Sequence, residues 1–526
     1  MTLISCALTI GCVEDQGTNV SMRTLGGRAS EARKNHARRK RDSGMTKVSR
    51  RTVLGGLAAG VTVIGFDPVK RSWVTEAQAA PPGTISLPNL DGELTTDPAA
   101  LGEASQDFGY IISRTPIAVL RPGSANDIVK LVRYANQHGI KVAGRGEAHS
   151  TYGQAQTQGG VVIDMRVLDA IETPKASGVW VQAGATWRQV LLATTAAGLT
   201  PPVFTDYTDT TVGGTLSVGG IGGASHRHGL QVDNVLALEV VTGDGRSVTC
   251  SPTDQPLLFR SVLAGLGQFA IIVRAKLKLI AAPTSVRTFR INYTDVNAFV
   301  ADEKKLALDE RFSYLEGSVN PDGNGGWFYQ LEAAAYYTPN KQPNNTKLLA
   351  GLPSGAVITE STYVEWITRI DAQVDFLKSV GAWTIPHPWF DVFLPGSQAA
   401  PYVGGVLANL TLDQTGNGPV LFYAFRRSKL TTLFFETPCE EVVFLFDILR
   451  FAPPVPEIVQ QRIAENRALF EQARAIGGKR YPISSIPFTQ ADWVQHYGVD
   501  WFLFVLQKLR FDERNVLTPG QGIFTS

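Results

Sequence analysis

Cysteine is scarce in this chain. Only 4 occur in 526 residues, and none forms a Cys-x-x-Cys pair or joins a Cys/His cluster, which excludes structural zinc and cysteine-held iron–sulfur centres. Charge is also sparse, at 18% of residues, and the net value of +2 is unevenly placed. Residues 1–51 hold 11 Lys/Arg against 4 Asp/Glu, whereas residues 80–526 hold 36 against 41. The body is mildly acidic and offers no nucleic-acid surface. The apolar run near the N-terminus, LGGLAAGVTVIGF, has 13 residues, well short of the roughly 20 that a spanning helix requires. No internal repeat is evident, and no Gly-Lys-Ser/Thr phosphate loop is present.

The basic excess belongs to an N-terminal address. SRRTVL, with Arg50 and Arg51, precedes the apolar run, and Ala77-Gln78-Ala79 supplies a small-residue cleavage site before Pro81. This is the pattern of a twin-arginine export signal over 45–79, which sends the protein to the periplasm or medium. Residues 1–44 are then an extension or a mis-called start, with either Met1 or Met45 as the true beginning. That export route carries proteins already folded around a cofactor. After cleavage only Cys250 and Cys439 remain, either bonded to each other or as two free thiols.

Glycine is abundant instead, at 51 residues. The stretch GRGEAHSTYGQ, Gly144–Gln154, begins like a Gly-x-Gly-x-x-Gly nucleotide fingerprint but puts His149 at the third glycine. A second run, Asp206–Gly229, mixes glycine with Ser and Thr, a composition that lets backbone N–H groups approach phosphates or a flat ring. The first run lacks the acidic residue and helix start of a Rossmann site.

Hydrophobic patterning predicts strand–helix–strand over 115–144. Ser124 and Asp127 form a capping box, Ile128, Leu131, Val132 and Ala135 make the buried face, and Gly139 ends the helix. VLALEVVTGDGRSVTC reads as a hairpin turning at Gly243-Asp244-Gly245. AIIVRAKLKLI alternates as a half-buried strand. The texture changes near Ala282, giving a domain over 80–282, a second over 283–480, and a final stretch over 481–526 read as a helix followed by a turn. His226 and His228, spaced i, i+2 as on a strand, lack a third ligand, so no metal site is expected.

Five segments, GRGEAHSTYGQAQTQGGVVIDM, TDYTDTTVGGTLSVGGIGGASHRHGLQVDNVLALEVVTGDG, LAGLGQFAIIVRAKL, IPHPWFDVFLPGS and LTPGQGIF, together resemble the cytokinin dehydrogenases of the vanillyl-alcohol-oxidase group of flavoproteins. The resemblance runs from about residue 110 to the end and is densest in the first domain and at the C-terminus. It implies an α+β fold with a PCMH-type FAD-binding domain over 80–282, a sheet-plus-helices substrate (cap) domain over 283–480, and a C-terminal return to the first domain over 481–526. Arg145-Gly146-Glu147-Ala148-His149-Ser150 matches the group motif Arg-Gly-x-Gly-His-Ser except at Ala148. It implies that His149 bonds covalently to FAD, a role that suits a neutral imidazole acting as nucleophile.

By the same resemblance Gly144, Gly146, Glu147, Ala148, Ser150 and Gln154 line the cofactor. Asp206, Thr211, Gly213, Gly214, Ser217 and Ile221 continue the cradle, with Ile272, Thr518 and Gln521 completing it. Asp206 is also implied as the catalytic base, because oxidation of CH–NH to C=N must shed a proton as well as a hydride. Asp209 is either a competing base or a solvent-facing residue. Glu316 is implied as a second catalytic carboxylate that holds the substrate ring, and Trp389 as an aromatic beside the substrate.

The expected activity is oxidation of the side-chain amine of N6-isoprenoid adenines, with oxygen or a quinone as electron acceptor. The imine formed hydrolyses to adenine and an aldehyde. The alternatives are a covalent-FAD oxidase of another amine, alcohol or sugar, and a flavin- or purine-binding protein without turnover. Neither nucleic acid nor a stable membrane span is expected as partner.

Overall fold

A computed structural model describes residues 63–524 apart from Arg71, Ala77 and Ala79. The twin-arginine pair and residues 1–62 lie outside the described residues. The rest of the stretch read as a leader holds two strands, Val63–Asp67 and Ser72–Thr75, which pair antiparallel and join Ile85–Ser86 in a small sheet. Phe66 and Trp73 are buried there, and the Trp73 ring stacks 6.1 Å from Tyr134.

The next sheet is laid down by the predicted strand–helix–strand. Ala118–Arg121 leads through the helix Ala125–His138 to Val142–Arg145, and Val161–Asp164 inserts between the two strands, parallel to both. Glu93–Thr95 adds an antiparallel edge. Ile128, Leu131, Val132 and Ala135 are fully buried, and each of the larger aliphatics contributes about 1.5–3 kcal/mol by leaving water. Gly139 ends the helix at φ 64°, a left-handed conformation that glycine adopts without strain.

The capping box does not form. Asp127 turns inward, where its carboxylate accepts the backbone N–H groups of Asp91, Gly92 and Gly123 at 2.7–2.8 Å, and Ser124 Oγ donates to Asp91 instead. Three loop amides that would otherwise be orphaned outcompete one helix-end amide.

A four-stranded antiparallel sheet follows, in the order Ser247–Cys250, Val235–Thr242, Ala270–Leu277, Val179–Gln182. Its first pair is the predicted hairpin, with Gly245 at φ 77°. An eight-stranded sheet then spans Ser285–Arg480. Alternation along each strand separates its two faces. On the central strand Tyr314–Pro321, Leu315 and Val319 join a core beneath the helices Val296–Asp309, Ala399–Leu407 and Pro456–Ala475. Tyr314 faces the other way, into the core shared with the first two sheets.

The final stretch is two helices, Gln490–Tyr497 and Trp501–Phe511, where one was expected. Gly498 at φ 52° breaks the pattern between them. The chain then returns alongside Val142–Arg145. Val142 N–H donates to Val516 C=O at 2.9 Å, and Thr518 N–H donates to Val142 C=O at 2.8 Å. Among the described residues no helix is long and apolar enough to cross a membrane. Cys250 is buried, Cys439 is exposed, and both are free.

Candidate active site

Between the two four-stranded sheets lies a cleft lined by the Gly144–Gln154 loop, the helix Val212–Val218 and the strand Ala270–Leu277. Its walls are backbone-rich because three segments cross closely. A Cβ on Gly146 would sit 1.9 Å from Thr211 Oγ1, so only glycine lets the Gly144–Gln154 loop meet the start of the helix Val212–Val218.

Fourteen of the expected cofactor residues line the cleft: Gly144, Gly146, Glu147, Ala148, His149, Ser150, Gln154, Thr211, Gly213, Gly214, Ser217, Ile272, Thr518 and Gln521. Ile221 is not in the lining; it packs in the core, and its neighbour Gly220 faces the cleft. Asp206 is not in it either, though Thr205 is. Tyr481, Ile483, Leu266 and Gly267 also line the cleft and carried no signal in the sequence, since apolar and turn residues give none.

These side chains do different work. Gln154 is spent on the protein, accepting Tyr152 N–H at 2.7 Å and donating to Ser484 C=O at 3.1 Å. Thr518, at φ 47°, donates to Gly267 C=O at 2.9 Å. Gln521 Oε1 is buried at the cleft with no protein partner, an orphaned acceptor that fits a bound ligand. Ala148 adopts φ 49°, which explains why glycine suits this position in the motif: the constraint lies in the backbone dihedral.

His149 stands in an aromatic cage. Phe108, Tyr207, Trp389 and Trp383 lie 4.2, 4.8, 5.4 and 6.0 Å from its ring. Burial, with a smaller push from His387, brings its pKa down to about 3. The imidazole is therefore neutral at physiological pH, with a nitrogen lone pair available. Trp389 thus sits against His149, and its buried Nε1 has no protein partner.

Asp206 lies where the glycine run meets the eight-stranded sheet. Leu315 N–H donates to Gly223 C=O at 2.8 Å, and Gly223 packs so tightly on Tyr314 that a Cβ would fall 2.4 Å from its Cζ. Tyr314 donates to Asp206 Oδ1 at 2.9 Å and also contacts Glu316 Oε2. Arg369 Nη2 donates to both carboxylates, at 2.7 Å to Asp206 Oδ1 and 2.8 Å to Glu316 Oε2. The structure therefore brings Asp206 and Glu316 together through Arg369.

Burial raises the Asp206 carboxyl, but the Arg369 charge and hydrogen bonds from its neighbours more than reverse this and hold it below the usual range. Burial and then the Asp206 charge push Glu316 well above it. Tyr314 and Arg369 were missed in the sequence; Arg369 lies 163 residues beyond Asp206, in the turn between the helices Tyr363–Ile367 and Asp371–Ser379, which reads as ordinary surface. Further along the same face Asp391 and Asp447 oppose each other across paired strands. Burial moves Asp391 up to about 8.

Asp209 is ion-paired. Arg188 forks it together with Asp371, with contacts of 2.5 and 2.6 Å. His226 and His228 lie on one helical turn, Ser225–His228, not on a strand. The His226 ring is held between the carbonyls of Gly223 and Phe312, and among the described residues no group of three ligating side chains gathers.

Comparison with known proteins agrees with this geometry. The profile of a family described as an FAD-binding domain matches residues 116–251, and that of "Cytokinin dehydrogenase 1, FAD and cytokinin binding" matches residues 318–524. Cytokinin dehydrogenase 4 of Arabidopsis thaliana is 35% identical, covering 84% of this chain and 94% of its own.

The chain belongs to the cytokinin dehydrogenase family. Cytokinin dehydrogenase 1 of rice, Oryza sativa subsp. japonica, is likewise 35% identical over 85% of this chain and 94% of its own. A bacterial relative, the uncharacterized oxidoreductase ORF5 of the fasciation locus in Rhodococcoides fascians, is 36% identical, covering 82% of this chain and 99% of its own. The crystal structure of 6-hydroxy-D-nicotine oxidase from Arthrobacter nicotinovorans superposes with a TM-score of 0.65 at 21% identity, over 81% of this chain and 96% of that one, and shares the fold. This cytokinin dehydrogenase family member is an FAD-dependent oxidoreductase with a small-molecule substrate, and the backbone-walled cleft with its orphaned acceptor fits FAD.

Proposed function

We propose that the protein oxidises the side-chain secondary amine of N6-isoprenoid adenines to an imine, which hydrolyses to adenine and an aldehyde. The observation that carries this reading is the position of Asp206. It is held ionised beside the cofactor cleft, with Oδ1 engaged by Arg369 and Tyr314 and a further side-chain hydrogen bond to Glu316. The cleft residues would hold FAD, which would supply the two-electron acceptor for the hydride leaving the carbon next to the nitrogen. Asp206 Oδ2 accepts the N–H of the substrate and takes its proton. Glu316 and Trp389 hold the ring of the substrate. Burial within the aromatic cage leaves His149 neutral, able to bond covalently to the cofactor.

Anaerobic mixing with N6-isopentenyladenine tests the substrate: the flavin should bleach. Persistent yellow colour with several N6-substituted adenines, together with bleaching by a panel of polyols or other amines, would reassign the enzyme to another substrate class. Reoxidation of the bleached protein by oxygen compared with a soluble quinone identifies the acceptor.

We also propose export by the twin-arginine route, supported by Arg50-Arg51 ahead of the apolar run. A cut after Ala79 removes the paired strands that bury Phe66 and Trp73. N-terminal sequencing of the exported protein therefore shows whether the mature chain starts at Ala80 or keeps these strands.

A further inference from the structure

Arg369 makes an unusual set of contacts for a residue outside every recognisable motif. One nitrogen, Nη2, lies within hydrogen-bond reach of three oxygens, Asp206 Oδ1, Glu316 Oε2 and the Tyr314 hydroxyl, while Nε reaches Glu332 Oε1 at 3.3 Å. Its guanidinium lies 4.6 Å over Trp366 and 5.0 Å over Tyr314, so its plane is fixed by stacking. Glu332 is already paired with Arg290, which leaves Arg369 as the one cation facing two carboxyls. The other ionisable groups around them, Tyr314, Tyr336, Tyr423 and Asp447, supply no positive charge. Two ionised carboxylates here would leave a buried negative charge uncompensated, and a single shared proton removes it.

Geometry also decides where that proton sits. Asp206 is 25% exposed and accepts from both Arg369 and Tyr314 on Oδ1, whereas Glu316 is 8% exposed and its Oε1 is buried without a protein partner. The deeper carboxyl, with an unpaired oxygen, is the one that gains by carrying hydrogen.

Resting on the functional reading above, we propose that Arg369 is the positioning residue of this site. By gripping Asp206 and Glu316 through one nitrogen, it makes them hold one proton between them. Asp206 Oδ2 is left as hydrogen-bond acceptor and base, and Glu316 Oε1–H as donor toward the substrate. The site then presents an acceptor and a donor side by side. It selects a neutral ligand that offers an N–H close to an acceptor atom, and it disfavours alkylammonium ions, which have no acceptor for Glu316. The directions of the two carboxyl pKa values, down for Asp206 and up for Glu316, agree with this arrangement.

The test is the pH dependence of anaerobic flavin reduction by N6-isopentenyladenine in the holoenzyme, comparing wild type with Arg369→Gln, Arg369→Lys, Glu316→Gln and the double variant Arg369→Gln/Glu316→Gln. Removing an opposite charge at this distance moves a carboxylate by about 1–3 pH units, so the acid limb in Arg369→Gln should rise by that amount. Glu316→Gln replaces a neutral acid by a neutral amide, so alone it should leave the acid limb near wild type, and the double variant should match Arg369→Gln, a pattern that a merely structural role would not give. Arg369→Lys, which keeps the charge but loses the fork, should leave the limb near wild type and lower the rate; it also serves if the glutamine variant does not fold.

Infrared spectra give a second, substrate-free readout. A protonated-carboxyl C=O band at neutral pH should be present in wild type and reduced in Glu316→Gln. An acid limb unmoved by Arg369→Gln, or moved as far by Glu316→Gln alone, overturns the proposal. If wild type is not reduced by the adenine at all, the functional reading fails and the infrared comparison alone decides the clamp: an unchanged band in Glu316→Gln overturns it.

Discussion

The glycine-rich wall of the cleft and the inner face of the eight-stranded sheet meet at Asp206, and they are built on opposite terms. The wall comes from two short sequence stretches, Gly144–Gln154 and Thr211–Gly220, and works by leaving side chains out: at Gly146 any Cβ would collide with Thr211. The sheet face works by adding charge, gathering Tyr314, Glu316 and Arg369 around a loop aspartate from segments far apart in the chain. The first accommodates a ligand through its backbone shape and tolerates little change in volume. The second holds a charge balance and tolerates little change in protonation. Shape and charge are thereby separated onto two adjoining surfaces.

Four substitutions separate the two surfaces. The largest expected effect is on the wall: His149→Ala should abolish the yellow colour that stays with acid-precipitated protein. Retention of that colour would move the covalent anchor elsewhere. At the junction, Asp206→Asn should keep the colour yet slow flavin reduction by about 10²–10⁴-fold, read by stopped-flow absorbance. A rate within a few-fold of wild type would remove Asp206 as the base.

The outer face of the sheet provides a control. Glu303, buried under the strand pair, accepts Ala424 N–H at 3.1 Å, and burial moves its pKa from 4.5 to about 8. The folded state keeps a proton that the unfolded chain releases, so this stabilisation is complete below the unfolded pKa and is lost as pH rises toward the folded one. Wild type should lose up to about 1.4 kcal/mol per pH unit from this group between those values. Glu303→Gln should flatten that part of the slope in urea unfolding while leaving the acid limb of flavin reduction in place.

The smallest effect returns to the wall. Ala148→Gly relieves a left-handed alanine and should raise stability by about 1 kcal/mol, visible in the melting temperature, with flavin attachment intact. A fall in stability would show that the methyl group packs to more effect than the dihedral strains.

Much of the wall was legible because its signals are local. The helix Ala125–His138, its Gly139 stop and the hairpin at Gly243–Gly245 follow from periodicity and turn chemistry. His149 and Asp206 stand within motifs that identify their surroundings. The failures share a physical cause. Asp127 looked like a capping residue, but the amides of Asp91, Gly92 and Gly123 claimed it. Asp209 read as a rival base or a solvent-facing residue, and its pairing with Arg188 was not legible. Ile221 was placed at the cofactor by its motif, yet a half-turn of chain sends it to the core and exposes Gly220.

The sequence by itself determined the family, the cofactor class and the glycine-walled cleft, because each rests on contiguous residues whose spacing is chemistry in itself. Tertiary structure alone decided the electrostatics. Whether Asp206 is a base, and whether Glu316 carries a proton, depends on an arginine 163 residues from the aspartate and on burial that only the packed sheet creates. Coulomb interactions in a desolvated site depend on distance in space, which spacing along a chain does not encode.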